Sequence, residues 1–159
     1  MKVLNIHKRT ITKPKEKVSR LLETLATKTD EIWPIEHWPA IKFKDGLNIG
    51  SKGGHGPIKY TIEKYQPHDF IQFRFSKPVG FKGIHKFEIL ALEKNKTEIR
   101  HTIEMTTVGI STLIWIIVIC PLHNALLEDA LDKIENRFIE IKKKTTWNLL
   151  VKIWRYILA

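Results

Sequence analysis

Between Ala40 and Val108 apolar side chains recur at every second position, the period of strands with one dry face and one wet face. Ile58, Tyr60 and Ile62 share a face, as do Ile71, Phe73 and Phe75, whereas Lys59, Thr61, Glu63, Gln72 and Arg74 occupy the opposite one. His85, Phe87, Ile89 and Ala91 form the next inward row, and Ile99, His101, Ile103 and Met105 form the row after Lys94 to Lys96. With a shorter strand at Ile41 to Lys44, the middle of the chain reads as an antiparallel sheet. The flanks differ. Val3 to Ile11 predicts a first strand, but Leu4 and Ile6 oppose Val3 and Ile11, so the facing of His7 and Arg9 stays open. Pro14 suits a first helical turn, and Val18, Leu21, Leu22 and Leu25 then form one stripe ending near Thr27. Asp30 is placed to cap a second short helix, which must stop near Trp33 because Pro34 disfavours helical geometry before it. Leu127, Ala130, Leu131, Ile134, Phe138 and Ile141 predict a long C-terminal helix, with Asp129 and Lys133 spaced to pair across a turn.

Directly opposed residues on paired strands lie on one face, which constrains the last hairpin because both of its inward rows are odd-numbered. A turn centred on Asn95 places His101 opposite Ile89 and His85 opposite Met105, and a centre at Lys96 moves each partner by two. Both imidazoles face the dry side in either case. His123 stands four residues before Leu127 and seven before Ala130, so a regular helix puts it on the inward stripe as well. The apolar side of the sheet is the natural surface for that helix to cover.

The chain has 159 residues, 43% of them apolar and 28% charged, which excludes a disordered or collagen-like protein and fits one domain with a real core. Cys120 stands alone and cannot form an internal disulfide, and its apolar neighbours, Leu113 to Ile119, raise its pKa and keep it inert. Met1 to Lys13 lacks the apolar core of a secretion signal, so a cytoplasmic location is expected. The net charge of +10 is scattered, without a recognised nucleic-acid motif, and no nucleic-acid partner is expected. The run Gly50 to Pro57 lacks the phosphate-loop pattern and precedes a strand; it reads as a wide turn or bulge, with His55 a minor candidate at a cavity rim. No nucleophile motif, inward carboxylate pair or metal-ligand spacing such as H-E-x-x-H occurs, so neither a metal nor a cofactor is expected.

Three segments carry a family resemblance: Ile11 to Val18 at the first strand-to-helix transition, Gly53 to Tyr60, and Pro121 to Leu131. With the order of strand, two short helices, antiparallel strands and long terminal helix, the sequence resembles the SRPBCC superfamily, which includes START-like lipid carriers and polyketide cyclase or dehydrase-like proteins. The resemblance implies an α+β helix-grip domain over residues 1–141, a curved antiparallel sheet wrapped around the long C-terminal helix. Residues 142–159 form an extension. It also implies an elongated apolar cavity holding a hydrophobic small molecule.

On that basis Trp33, Trp38, Ile58, Tyr60, Phe73, His85, Phe87, His101, Met105 and His123 are the candidate ligand-binding residues. The leading reading is binding of a lipid-like or polyketide-like molecule whose carbonyl or hydroxyl is oriented by the three histidines. The alternative is a cyclase or dehydratase that uses His85, His101 or His123 for proton transfer. Against both stands plain core packing, with each imidazole bonded to backbone, tyrosine or water. Trp33 and Trp38 bracket a Pro34 to His37 segment that reads either as a cavity lid or as a packed corner.

Two stretches raise the question of a membrane. No Asp, Glu, Lys or Arg lies between Glu104 and Glu128, but Thr106, Thr107, Ser111, Thr112, Pro121, His123 and Asn124 dilute the stretch, and a strand end followed by a buried helix start is expected instead of a span. After Lys142, Lys143 and Lys144, residues Trp147, Leu150, Val151, Trp154, Ile157 and Leu158 repeat at helical spacing, with Asn148, Lys152 and Arg155 opposite. Such a basic amphipathic tail fits peripheral membrane contact, a homodimer interface, or packing back as extra core.

Overall fold

The computed structural model describes residues 1–158. Seven strands form one antiparallel sheet: β1 (Lys2–Ile11), β2 (Lys42–Phe43), β3 (Lys52–His55), β4 (Ile58–Gln66), β5 (Phe70–Lys77), β6 (Phe81–Glu93) and β7 (Lys96–Thr107). Their spatial order is β1-β7-β6-β5-β4-β3-β2, so the first strand closes the edge beside the last. A short helix α1 (Lys15–Ser19) runs into a 3-10 turn at Arg20–Thr24 after β1. After β7 comes one continuous helix, Ile110–Glu135, made of α2 (Ile110–Ile114), a π turn at Trp115–Ile119 and α3 (Cys120–Glu135). Leu127, Ala130, Leu131 and Ile134 are buried in it as the spacing predicted, with Leu126 beside them, and each large side chain so buried contributes about 1.5–3 kcal/mol.

Several expectations are corrected. The glycine run is not a wide turn: Lys52–His55 is a strand, and the turn is only Gly56 and Pro57, because His55 already pairs with Ile58. A Cβ on Gly53 would meet the Lys42 carbonyl oxygen at 2.2 Å, and one on Gly54 the Ile58 carbonyl oxygen at 2.1 Å. The glycines are there because β3 runs too close to β2 and β4 for side chains. The second short helix does not form. Asp30 Oδ1 accepts the backbone N–H groups of Ile32 and Trp33, at 2.8 and 2.7 Å, but the chain then bends and turns up to Trp38.

The last hairpin has neither of the two expected registers. His85 pairs with Ile103 and Phe87 with His101, a shift of two residues the other way. The cause is local: Glu93 pairs with Lys96 across a two-residue turn, and the register shifts between Ala91 and Glu93, where Leu92 is the extra residue. The inward parity survives, although Ala91 at the hairpin end is exposed. This register makes His85 and His101 diagonal neighbours.

The open facing of β1 is resolved by the helix. His7 and Arg9 turn inward, leaving Leu4 and Ile6 exposed, because Arg9 Nη1 donates to Asp132 Oδ1 at 3.0 Å and to Glu135, and Nη2 to Glu128 at 3.0 Å. Asp129 does not pair with Lys133; it accepts indole N–H groups, and Lys133 reaches Glu36 and the Trp33 carbonyl. The helix stops at Glu135, so Phe138 and Ile141 both lie off it, and Ile141 is 88% exposed. Its beginning is not buried either: of Leu113 to Ile117 only Trp115 is.

The tail helix is α4 (Leu149–Ile157), capped by Asn148, whose Oδ1 accepts the Val151 N–H at 2.9 Å. It folds back on the domain with Val151 buried. Trp154 Nε1 donates to the Ile117 carbonyl at 2.9 Å, the carbonyl that Pro121 cannot bond four residues on. Arg155, expected on the wet face, instead sits inward over the rings of Trp38 and Trp147, 4.5 Å from each centroid.

Candidate functional site

A cavity of about 430 Å³ lies between the inner face of the sheet, the Ile110–Glu135 helix, the Trp33–Trp38 segment and α4. That size suits a small organic ligand. Six of the ten candidate residues line it: Trp33, Trp38, Ile58, His85, His101 and His123. The other four do not reach it. Tyr60, Phe73 and Phe87 are almost fully buried in the main core, and Met105 packs with Phe81, Ile103 and Trp115. They form the layer behind the wall, since period-two facing separates inside from outside but does not separate lining from filling. Residues the sequence did not single out complete the wall, among them Phe75, Phe81, Trp115, Leu122 and Trp154. Trp115 and Phe75 carried a detectable signal, each being the aromatic on an apolar stripe; Trp154 required knowledge that α4 folds back.

The aromatic corner is held by hydrogen bonds. Trp33 Nε1 donates to the Pro39 carbonyl at 2.9 Å, and Lys133 Nζ donates to the Trp33 carbonyl at 2.9 Å. Trp38 Nε1 and Trp147 Nε1 both donate to Asp129 Oδ2, at 2.7 and 2.9 Å. The Trp33–Trp38 segment is therefore a fixed wall tied to α3.

The imidazoles form a continuous polar seam in otherwise apolar walls. His85 Nδ1 and His101 Nε2 are 3.3 Å apart, and the ring of His123 lies 5.2 Å from that of His101. His85 stacks on Phe73 and Phe75 and meets the edge of Tyr60, with centroids 4.6–4.8 Å away. At the other end His7 lies 5.9 Å from His123, and its own nitrogens face Glu128 at 2.8 Å and Asn124 at 3.0 Å. His55 closes the opposite side, its Nδ1 3.0 Å from the Tyr60 hydroxyl and its ring 4.7 Å from Trp33.

Burial decides the charge of this seam. It pushes His123 down to about 3, and repulsion from a protonated His7 or His55 would act the same way. His55 falls to about 4 through burial and the nearby Lys59. His85 and His101 are driven well below the ordinary imidazole value by burial, then by the other histidines. All four are neutral near pH 7. Burial also holds the Tyr60 hydroxyl protonated, well above its usual pKa. Three ring nitrogens, His85 Nε2, His101 Nδ1 and His123 Nδ1, are buried without a hydrogen-bond partner. Among the described residues no group of three or more His, Cys, Asp or Glu side chains is arranged to hold a metal ion.

No protein-family model and no curated protein matches the chain. Solved structures do. Norcoclaurine synthase from Thalictrum flavum, in complex with dopamine and hydroxybenzaldehyde, superposes with a TM-score of 0.65 at 12% identity, covering 91% of this chain and 90% of that one. A protein from Nitrosospira multiformis gives 0.64 at 13% identity, covering 86% and 97%. A START superfamily protein from Mycobacterium smegmatis gives 0.52 at 14% identity, covering 85% and 96%. With the sheet order, the long helix and these superpositions together, the chain has the helix-grip fold that START superfamily proteins and norcoclaurine synthase share.

Proposed function

We propose that the protein binds a hydrophobic or amphipathic small molecule in the cavity, with the polar end of that molecule on the histidine seam. The observation that carries this reading is the set of three buried, unpartnered ring nitrogens, two from the sheet and one from α3, in residues that line an otherwise apolar cavity. Leaving a buried polar atom unpaired costs about 1–3 kcal/mol, which a ligand group that pairs with it recovers. Chemistry narrows that group. In a neutral His85–His101 pair one ring donates to the other, so the pair offers one free N–H and one free lone pair whichever way the proton sits. A hydroxyl or phenol, which both donates and accepts, complements the seam better than a carboxylate, which only accepts. The tryptophan and phenylalanine side chains around it suit a flat or extended apolar body, and norcoclaurine synthase holds small aromatic molecules on the same fold.

Acid–base catalysis in the cavity is the weaker reading. A general base works best with a pKa near the working pH, and burial keeps His55 and His123 at about 4 and about 3. The test is native mass spectrometry of the purified protein for a copurified compound, followed by titration of the emptied protein with anilinonaphthalene sulfonate and with phenolic and carboxylic probes. Binding of the phenolic probe, weakened in His101→Phe and His123→Phe, is the expected result. A protein that carries nothing and leaves probe fluorescence unchanged refutes the cavity reading.

A further inference from the structure

The part of the long helix that precedes α3, Ile110–Ile119, presents an exposed apolar face. Leu113, Ile116 and Ile117 are each about half exposed, and no charged side chain occurs between Glu104 and Glu128. On α4, Leu150, Ile153 and Ile157 are exposed to a similar degree, on the side away from the buried Val151. The two surfaces adjoin, because Trp154 of α4 donates to the carbonyl of Ile117 itself. Single exposed leucines need no explanation, but a patch of this kind spanning two adjacent helices does.

Charge identifies what covers it. No acid follows Glu140, whereas the exposed Lys144 and Lys152 do, in a chain whose net charge is +10; Lys142 and Lys143 are held at Asn136 and Glu135 by the end of α3, and Arg155 is stacked inward. A second copy brought against this face would set like charges side by side, and an anionic lipid surface would neutralise them. From this acid-free apolar face on a strongly basic chain we infer that α2, the π turn and α4 together dock on an anionic bilayer, lying in its interface. The helix does not cross it. Residues 110–119 are only about 15 Å long, and beyond them α3 is committed to the sheet through its buried leucines and the carboxylates that hold Arg9. Behind the docked face, the buried Trp115 of the same helix and Trp154 of α4 line the cavity, so the ligand site lies next to the membrane. Docking does not depend on what the cavity holds.

The experiment is cosedimentation of the full chain with vesicles of phosphatidylcholine alone or mixed with phosphatidylglycerol, alongside light-scattering chromatography for oligomeric state. The protein is expected to pellet with the mixed vesicles and to be released by salt. The double variant Ile117→Glu, Ile153→Glu should bind about tenfold or more weakly at an unchanged melting temperature. Ile6→Glu, on the exposed outer face of β1, should bind like the parent. Failure of the parent protein to pellet with anionic vesicles overturns the inference, as does unimpaired binding by the double variant. A dimer that the double variant dissociates, without vesicle binding, overturns it in favour of a second copy.

Discussion

Acidification from pH 7 to pH 5 is expected to weaken this fold through its buried imidazoles. His55 and His123 ionise at about 4 and about 3 in the folded protein, against 6.5 for a free imidazole. Below 6.5 the unfolded chain takes up protons that the folded chain refuses, so stability is fully present above that value and is lost as the pH falls toward the folded pKa. Each refused proton costs about 1.4 kcal/mol per pH unit. At pH 5 the loss is therefore about 2 kcal/mol per histidine, or about 4 kcal/mol for these two, against a total of about 5–15 kcal/mol for a typical domain. His85 and His101 act in the same direction. Glu36, Glu63 and Glu135 are held below 4.5 by Lys133, by Arg74 and by Lys143 with Arg9 respectively, so what they contribute is lost only on further acidification. Asp30, raised by burial, contributes with the opposite sign. Urea unfolding at pH 7, 6 and 5 measures the slope directly. His123→Gln should reduce that slope by about one proton, or about 1.4 kcal/mol per pH unit, whatever it does to the stability at neutrality. A stability that is flat between pH 7 and pH 5, or a slope unchanged in His123→Gln, would refute the claim that the seam is dry and neutral.

Two other substitutions probe how the sheet and helix are held together. Arg9→Met leaves Asp132 and Glu135 partly buried without their shared cation, and should cost about 3 kcal/mol in urea unfolding at pH 7. Gly54→Ala forces a Cβ into the Ile58 carbonyl at a φ of +146°, and should cost about 2 kcal/mol or more, read as a fall in the thermal midpoint.

Much of the seam was legible because parity is robust. A bulge and a turn change which residues are opposed, but as long as the extra residues total an even shift, His85 and His101 stay on the dry face. Their direct contact was not legible, because it depends on one unpaired residue, Leu92, with no distinguishing chemistry. The glycine strand was misread for a related reason: glycine marks both turns and places where backbones approach, and only the neighbours β2 and β4 tell them apart. Likewise, alternation could not separate cavity lining from packing behind it, which is why Tyr60, Phe73, Phe87 and Met105 fell outside the wall.

Local periodicity thus determined most of the order of elements, β3 and the absent second short helix excepted, together with the inward faces of the central strands and the buried stripe of α3, because each depends on residues near one another in the chain. Tertiary structure alone decided the rest. Polar His7 and Arg9 face inward only because Glu128, Asp132 and Glu135 arrive from the far end of the chain. α4 turns Arg155 inward because Trp38, Trp147 and the free carbonyl of Ile117 wait there. These choices were settled by partners more than a hundred residues away for β1 and by a fold-back for α4, and a pattern read over a few turns carries no information about either.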